Sequence, residues 1–335
     1  MIKNAWYIAT KVDNLVKKPY SCTILGEPIV LYRDAQGNAY ALYDRCSHRG
    51  VPLSKGKIKD NCLVCCYHGW TFNDKGKCVY IPEVDHYPQR TDIKTYPVKE
   101  QQGYVWVFMG QKENADIVEI PKLMEGPGWR SVKNTVDVVN CDWMYMMENA
   151  VDGAHLSFIH SGSLEDGNRW LYNWSRKFRK EQQHEEPNNL KVSFNNNGFV
   201  AKAEKEEMKG NKSEKLAFEM EIHLPSTVQF KLYFGEKQVR VWVHVVPIEN
   251  GKCRVEHVMT RDFLTTALAD WLFHKSARKF LTEDVQVVEL QQPVYERDGD
   301  NWEVSVSRDR IPLIFRKEIK KIKMQENLSF EEQTI

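Results

Sequence analysis

Two short stretches carry cysteine and histidine at close range: Cys46-Ser-His48 followed by Arg-Gly, and Cys65-Cys-Tyr-His68 followed by Gly-Trp. Sixteen residues separate His48 from Cys65. With Cys65 taken in the second stretch and Cys66 left aside, each stretch offers one soft thiolate and one neutral imidazole, so the two loops together present two of each. Zinc accepts such a set, but usually with Cys beside Cys and His beside His, which is not the order here. A [2Fe–2S] cluster held by two Cys on one iron and two His on the other needs two loops, each giving one Cys inward and one His toward the tip. Imidazoles leave less negative charge on such a cluster and raise its potential. The spacings Cys-x-His and Cys-x2-His suit that second arrangement, and Gly50 and Gly69 allow tight turns behind the histidines. Cys62-Leu-Val-Cys65 is formally a CxxC, yet no βαβ pattern surrounds it. Cys62 and Cys66 are expected at buried strand positions, and Cys22, Cys78, Cys141 and Cys253 in the core.

A second set lies in "ENAVDGAHLSFIH", from Glu148 to His160. Asp152 and His155 stand three apart, so a helix sets them on one face. His155 and His160 stand five apart, which requires the helix to end or bend between them, and Gly153 assists. Two imidazoles and one carboxylate on one face of an iron leave three coordination positions open, the arrangement of non-haem Fe(II) oxygenases. Singly, each histidine reads as a satisfied core residue. The grouping is what points to a metal.

The first set, "CSHRG" with "CCYHGW", resembles the Rieske iron–sulfur motif, although that family more often has Pro or Ser where Cys66 stands. The second resembles the mononuclear-iron motif of the Rieske non-haem iron oxygenases, Glu-Asn-x-x-Asp-x-x-His-x4-His, and the two motifs occur in that family's order. The resemblance covers nearly the whole chain. It implies Cys46, His48, Cys65 and His68 as cluster ligands, and His155 and His160 as ligands of a mononuclear Fe(II). It implies a carboxylate ligand from "FLTEDVQVVELQQP", for which Asp284 is chosen, with Glu283 and Glu289 as alternatives. Asp152 is implied to bridge His155 and, across a subunit interface, His68 of a neighbouring copy, within a homotrimer whose electrons pass between subunits. Asn149 is placed near the iron, and Glu148 is given no role. O2 is the implied co-substrate. NAD(P)H electrons must come through a separate ferredoxin or flavin reductase, because this chain has neither a GxGxxG nor a plant-type Cys-x4-Cys-x2-Cys run. The implied substrate is a small ring-containing molecule, hydroxylated or oxidatively demethylated. Members without a β-subunit, such as aromatic O- and N-demethylases and alkaloid hydroxylases, do this. Arene cis-dihydroxylation is the alternative. A Rieske electron-transfer protein without oxygenase activity is the alternative from another class, disfavoured because a carrier needs no open iron site.

These residues need elements to hold them. Residues 1 to 115 alternate in hydropathy between turn signals such as Gly-Glu-Pro, Asp-Ala-Gln-Gly-Asn and Asn-Asp-Lys-Gly, which predicts a small antiparallel β domain with both Cys/His stretches in its loops. Residues 111 to 130 carry prolines, glutamates and late glycines and read as the boundary. Residues 116 to 335 mix a helix over 140 to 156, a strand meander over 190 to 262, and a helix from 263 to 291 that stops before Pro293. A basic amphipathic helix follows, "IPLIFRKEIKKIKMQE", expected to pack on its own domain rather than on a membrane. The fold class is therefore α+β, the second domain an antiparallel sheet flanked by helices. Met144, Met147, Phe158 and Ile159 are candidates to line a pocket by their proximity to the ligands, and Trp143 with them, although apolar residues on a helix beside a ligand are more often core.

Composition narrows the partners. The chain has 335 residues, 47 Lys plus Arg against 46 Asp plus Glu, and a net charge of +1, which gives no electrostatic reason for nucleic acid or an anionic membrane. The N-terminus lacks a signal-peptide apolar run, and no stretch is long and apolar enough to span a bilayer. Eight cysteines are too sparse for a disulfide scaffold, and thiolate ligands suit a reducing compartment, so the cytoplasm is expected.

Overall fold

The structure is a computed structural model that describes residues 1–86, 88–123, 126–160, 191–209, 212–234 and 237–332. It divides into two compact units, Met1–Lys122 with Pro247–Glu249, and Leu123–Val246 with Asn250–Ile335. Among the described residues, no helix is long and apolar enough to cross a membrane.

The first unit contains eleven short strands: β1 (Ala5–Lys11), β2 (Tyr20–Ile24), β3 (Glu27–Arg33), β4 (Ala39–Tyr43), β5 (Lys57–Lys59), β6 (Cys62–Val64), β7 (Thr71–Phe72), β8 (Cys78–Tyr80), β9 (Thr95–Tyr96), β10 (Val98–Gln101) and β11 (Tyr104–Met109). They form three antiparallel sheets, ordered β1-β11-β10, β2-β3-β4-β9 and β5-β6-β7-β8. β11, "YVWVFM", is buried along its whole length, as a central strand must be. It pairs with β10 through a two-residue turn in which Gln102 and Gly103 both have positive φ, the geometry that matches strand twist. Leu25-Gly26 does the same between β2 and β3.

The second unit is built on one seven-stranded antiparallel sheet: β12 (Arg130–Val139), β13 (Lys191–Asn195), β14 (Gly198–Lys209), β15 (Lys212–His223), β16 (Thr227–Phe234), β17 (Lys237–Glu249) and β18 (Lys252–Arg261). The order is β12-β18-β17-β16-β15-β14-β13, so β18 lies inside the sheet and is buried at nine of its ten positions. Among the described residues four helices accompany it: α1 (Trp143–Val151), α2 (Leu156–Ile159), α3 (Ala267–Asp298) and α4 (Arg310–Glu332). α4 buries Ile311, Phe315 and Ile319, four apart on one stripe, so its apolar face is spent on its own domain.

α3 is anchored at its start by charge. Arg130 of β12 grips Asp270 with two nitrogens at 2.7–2.9 Å, and fully buried Arg261 of β18 donates to the same carboxylate at 2.7 Å. Those two guanidiniums hold the Asp270 carboxyl down at about 2. The buried stripe of α3 then runs Phe273, Ala277, Leu281, Val288 and Gln292. Asp284 falls within that stripe by spacing, which turns a carboxylate inward.

Two helix boundaries differ from expectation. α3 does not stop before Pro293 but runs through it to Asp298, where Gly299 at φ 68° closes it. An interior proline costs about 3 kcal/mol. Two contacts hold the helix across it: Gln292 donates to Glu296 at 2.9 Å, and Tyr295 stacks on Tyr145 at 3.8 Å. The helix expected over 140 to 156 covers only Trp143–Val151. Asp142 caps its start by accepting from the Met144 N–H at 2.9 Å, and the chain leaves helical geometry at Asp152, ahead of both histidines.

Buried His244 of β17 shares a 2.7 Å hydrogen bond with Thr227 and is held neutral by burial, its pKa depressed to about 3. An unfolded histidine takes a proton near pH 6.5, whereas this one does so only near 3, so the unfolded state binds more protons between those values. Stability should therefore fall as pH drops through that window, by up to about 1.4 kcal/mol per pH unit from this group. Denaturant titrations of His244→Gln should show a shallower decline between pH 6 and 4 than the parent, whatever its absolute stability; an unchanged slope would mean the ring is not buried neutral.

Candidate metal centres

Both Cys/His loops close in the same way. Cys46 N–H donates to Val51 O at 2.9 Å while Gly50 N–H donates to Cys46 O at 3.0 Å; Cys65 N–H donates to Trp70 O at 2.8 Å while Gly69 N–H donates to Cys65 O at 3.1 Å. Gly50 and Gly69 carry φ of 76° and 71°, which L side chains rarely adopt. Equal loops with histidine at the third position in one and the fourth in the other explain why the two spacings differ. The loops bring the four residues together. Cys46 and Cys65 are buried in one core cluster with Tyr32, Leu53, Leu63 and Phe72. Burial, with the Cys65 thiol beside it, pushes the Cys46 thiol up to about 11. His48 and His68 meet edge to face at 4.7 Å, and Trp70 stacks flat on His48 at 4.7 Å. Cys66 does not occupy the buried strand position expected of it; it is exposed, because β6 ends at Val64 and Cys66 lies in the turn that follows Cys65. Cys62 begins β6 and is half-buried, as is Cys22, while Cys78, Cys141 and Cys253 are buried.

The second set is assembled from two distant segments. His155 and His160 flank the single turn of α2, one at each end. Their Nε2 atoms both face Asp284 Oδ1 of α3, at 3.5 Å and 3.2 Å. Among the described residues, these three form the group whose donor atoms all lie within 4.8 Å of one another. The opposite nitrogens face two further carboxylates. His160 Nδ1 lies 2.8 Å from Glu283, and His155 Nδ1 lies 3.4 Å from Asp152. Burial lowers the His160 pKa, but Asp284 and Glu283 outweigh it and leave the ring above its ordinary value. Glu283 therefore stands on the far side of His160 from the convergence point, and Glu289 is elsewhere, accepting from Asn140. Burial raises the Asp152 carboxyl, yet His155 and the Ala154 N–H bring it below its usual range. Asp152 accepts from the backbone N–H groups of Ala154 and His155 at 2.8 and 3.2 Å, so it caps the turn that carries His155 as well as facing its ring.

The donor set at each place fits a metal. A buried polar atom without a hydrogen bond costs about 1–3 kcal/mol, and His48 Nδ1 and Asp284 Oδ1 are both buried without one. Two thiols and two imidazoles on one side, and two imidazoles with one carboxylate on the other, are the ligand types of a [2Fe–2S] cluster and of a non-haem Fe(II) site.

Beside His155 lies a cavity of about 370 Å³, lined by Tyr145, Glu148, Asn149, Asp152, Ile159, Tyr295, Glu303 and Arg316 among others. Of the residues expected to border the ligands, Trp143 and Met147 are core, Met144 accepts from Lys323 Nζ at 3.2 Å, and Phe158 is 75% exposed. Tyr145, Tyr295, Glu303 and Arg316 carried no sequence signal that singled them out. Their meeting depends on how three helices pack.

Two family models match the chain: the Rieske [2Fe-2S] domain over residues 5–97, and the vanillate O-demethylase oxygenase C-terminal domain over residues 139–323. The chain belongs to the Rieske non-haem iron oxygenases. Within that family it is similar to the toluene-4-sulfonate monooxygenase system iron-sulfur subunit TsaM1 of Comamonas testosteroni, 36% identical over 166 residues, covering 49% of this chain and 48% of the relative. It is similar also to the vanillate O-demethylase oxygenase subunit of Pseudomonas sp., 37% identical over 166 residues, covering 48% and 46%. The alignments thus span about half the length of these relatives. The crystal structure of dicamba monooxygenase bound to 3,6-dichlorosalicylic acid superimposes with a TM-score of 0.82 at 23% identity, over 98% of this chain and 99% of that one, which shows the shared oxygenase fold.

Proposed function

We propose that this chain is the oxygenase component of a multi-component Rieske monooxygenase that hydroxylates or oxidatively demethylates a small ring-containing substrate. The observation that carries the reading is the convergence of His155 Nε2, His160 Nε2 and Asp284 Oδ1 in a chain that also gathers Cys46, His48, Cys65 and His68. In this reading Met1–Lys122 holds the cluster and Leu123–Val246 with Asn250–Ile335 holds the mononuclear iron. When bound, the cluster supplies one electron at a time and the iron supplies O2 activation.

The protein's own contribution is orientation and proton placement. Glu283 accepts the Nδ1 proton of His160, which leaves the Nε2 lone pair facing Asp284. Asp152 stands 3.4 Å from His155 Nδ1, a charge contact and not a hydrogen bond, because its carboxylate accepts from two backbone N–H groups. Trp70 fixes the plane of His48 by stacking. Asn149 lines the cavity beside Asp152 and offers an amide there. Electrons come from a separate ferredoxin or flavin reductase drawing on NAD(P)H. The working assembly is a homotrimer in which Asp152 of one copy meets His68 of the next. None of the eight cysteines is in a disulfide, which suits a cytoplasmic, reducing setting.

Two outcomes are expected. His155→Ala, His160→Ala and Asp284→Ala should each lose the second-site iron while the visible absorption of the cluster stays, measured by metal analysis beside optical spectra. With a surrogate NADH reductase and a panel of O-methyl and N-methyl arenes under 18O2, a demethylated substrate should release formaldehyde that carries the label, trapped before it exchanges with water, and leave an unlabelled phenol or amine, while a hydroxylated substrate should keep one labelled atom. Two labelled atoms in a cis-diol would replace the reading with dihydroxylation, and electron uptake with no substrate-dependent O2 consumption across the panel would leave a carrier.

A further inference from the structure

One guanidinium on α4 ties together the wall behind His155. Arg316 Nε and Nη2 fork onto Glu148 Oε1 and Oε2 at 2.8 and 2.5 Å, and Nη1 and Nη2 reach Glu303 at 2.5 and 3.2 Å. Asp300 stands 3.9 Å away. Tyr295 of α3 donates to Glu303 from the other side and stacks on Tyr145 of α1. Arg316, Glu148 and Glu303 keep side-chain exposures of 16%, 12% and 19%. Two shielded carboxylates share one guanidinium, with Asp300 at the exposed rim, an arrangement that stability alone does not favour. The bidentate fork does give geometric specificity.

What the fork orients is α1. Glu148 stands one turn before Asp152, and its carbonyl accepts the Asp152 N–H at 3.0 Å. Asp152 is where the chain leaves the helix and turns its carboxylate to the His155 backbone and ring. Glu148, Asp152, His155 and Arg316 all border the same cavity. We propose that Arg316 is a positioning residue for the His155 centre: by clamping Glu148 it sets the end of α1, and through it the placement of Asp152 against His155.

This inference rests on the reading of His155, His160 and Asp284 as the iron site, and the test separates the two. Anaerobic Fe(II) affinity at the second site is measured by chelator competition on protein whose cluster is intact, for the parent, Asp152→Asn, the charge-neutral pair Arg316→Gln with Glu148→Gln, and the three changes combined. Partners that orient a metal-binding histidine are worth about 10–100-fold in affinity. Asp152→Asn should weaken Fe(II) about tenfold, the paired variant about as much, and the combination no further than Asp152→Asn alone, with the cluster spectrum unchanged throughout. Arg316→Lys, which keeps the charge and gives up the fork, should weaken Fe(II) about threefold, and it carries the test should the pair fail to accumulate. Parent-like affinity in the paired variant, or losses that multiply in the combination, would overturn the positioning role, since independent groups add. Fe(II) binding that survives His155→Ala would instead overturn the iron site beneath it.

Discussion

Everything in the second unit turns on one buried carboxylate oxygen faced by two imidazole nitrogens at 3.2 and 3.5 Å. Removing a carboxylate and two polar rings from water is costly unless partners replace the solvent. Here each ring has a second carboxylate behind it, and Asp284 Oδ1 has no hydrogen bond of its own. A metal bound there would resolve that imbalance, because a divalent cation satisfies all three donors at once. The surrounding elements then read as means of holding those donors in place.

Asp284 is placed by a helix fixed at its first turn through Arg130, Arg261 and Asp270, and carried along its length by a buried apolar stripe. His155 and His160 are placed by breaking α1 at Asp152 and inserting a single helical turn between the rings. The Cys/His loops use a different device. There the backbone closes on itself, with a cysteine at the base and a glycine at positive φ completing each turn, so the shape of each loop depends little on long-range packing.

That difference explains what could be read in advance. The two loops that carry Cys46, His48, Cys65 and His68 were legible because their geometry is local: spacing and glycine position nearly specify the loop. His155 and His160 were legible as a pair for the same reason, although the helix break falls at Asp152 and not between them. Asp284 needed the resemblance to a family. The stripe Phe273, Ala277, Leu281, Val288 also marks it as the inward acid, and sets it apart from Glu283 and Glu289. Three features were not legible. The continuation of α3 through Pro293, the exposure of Cys66 and the clamp of Arg316 on Glu148 each depend on tertiary contacts or loop paths that no local pattern encodes.

The central claim is that one chain carries two different iron centres, and the most direct test is iron and acid-labile sulfide per chain in protein purified without oxygen. Three irons and two sulfides are the predicted result, corresponding to a [2Fe–2S] cluster on Cys46, His48, Cys65 and His68 and a single iron on His155, His160 and Asp284. Zinc without sulfide would contradict the account from its first residues onward.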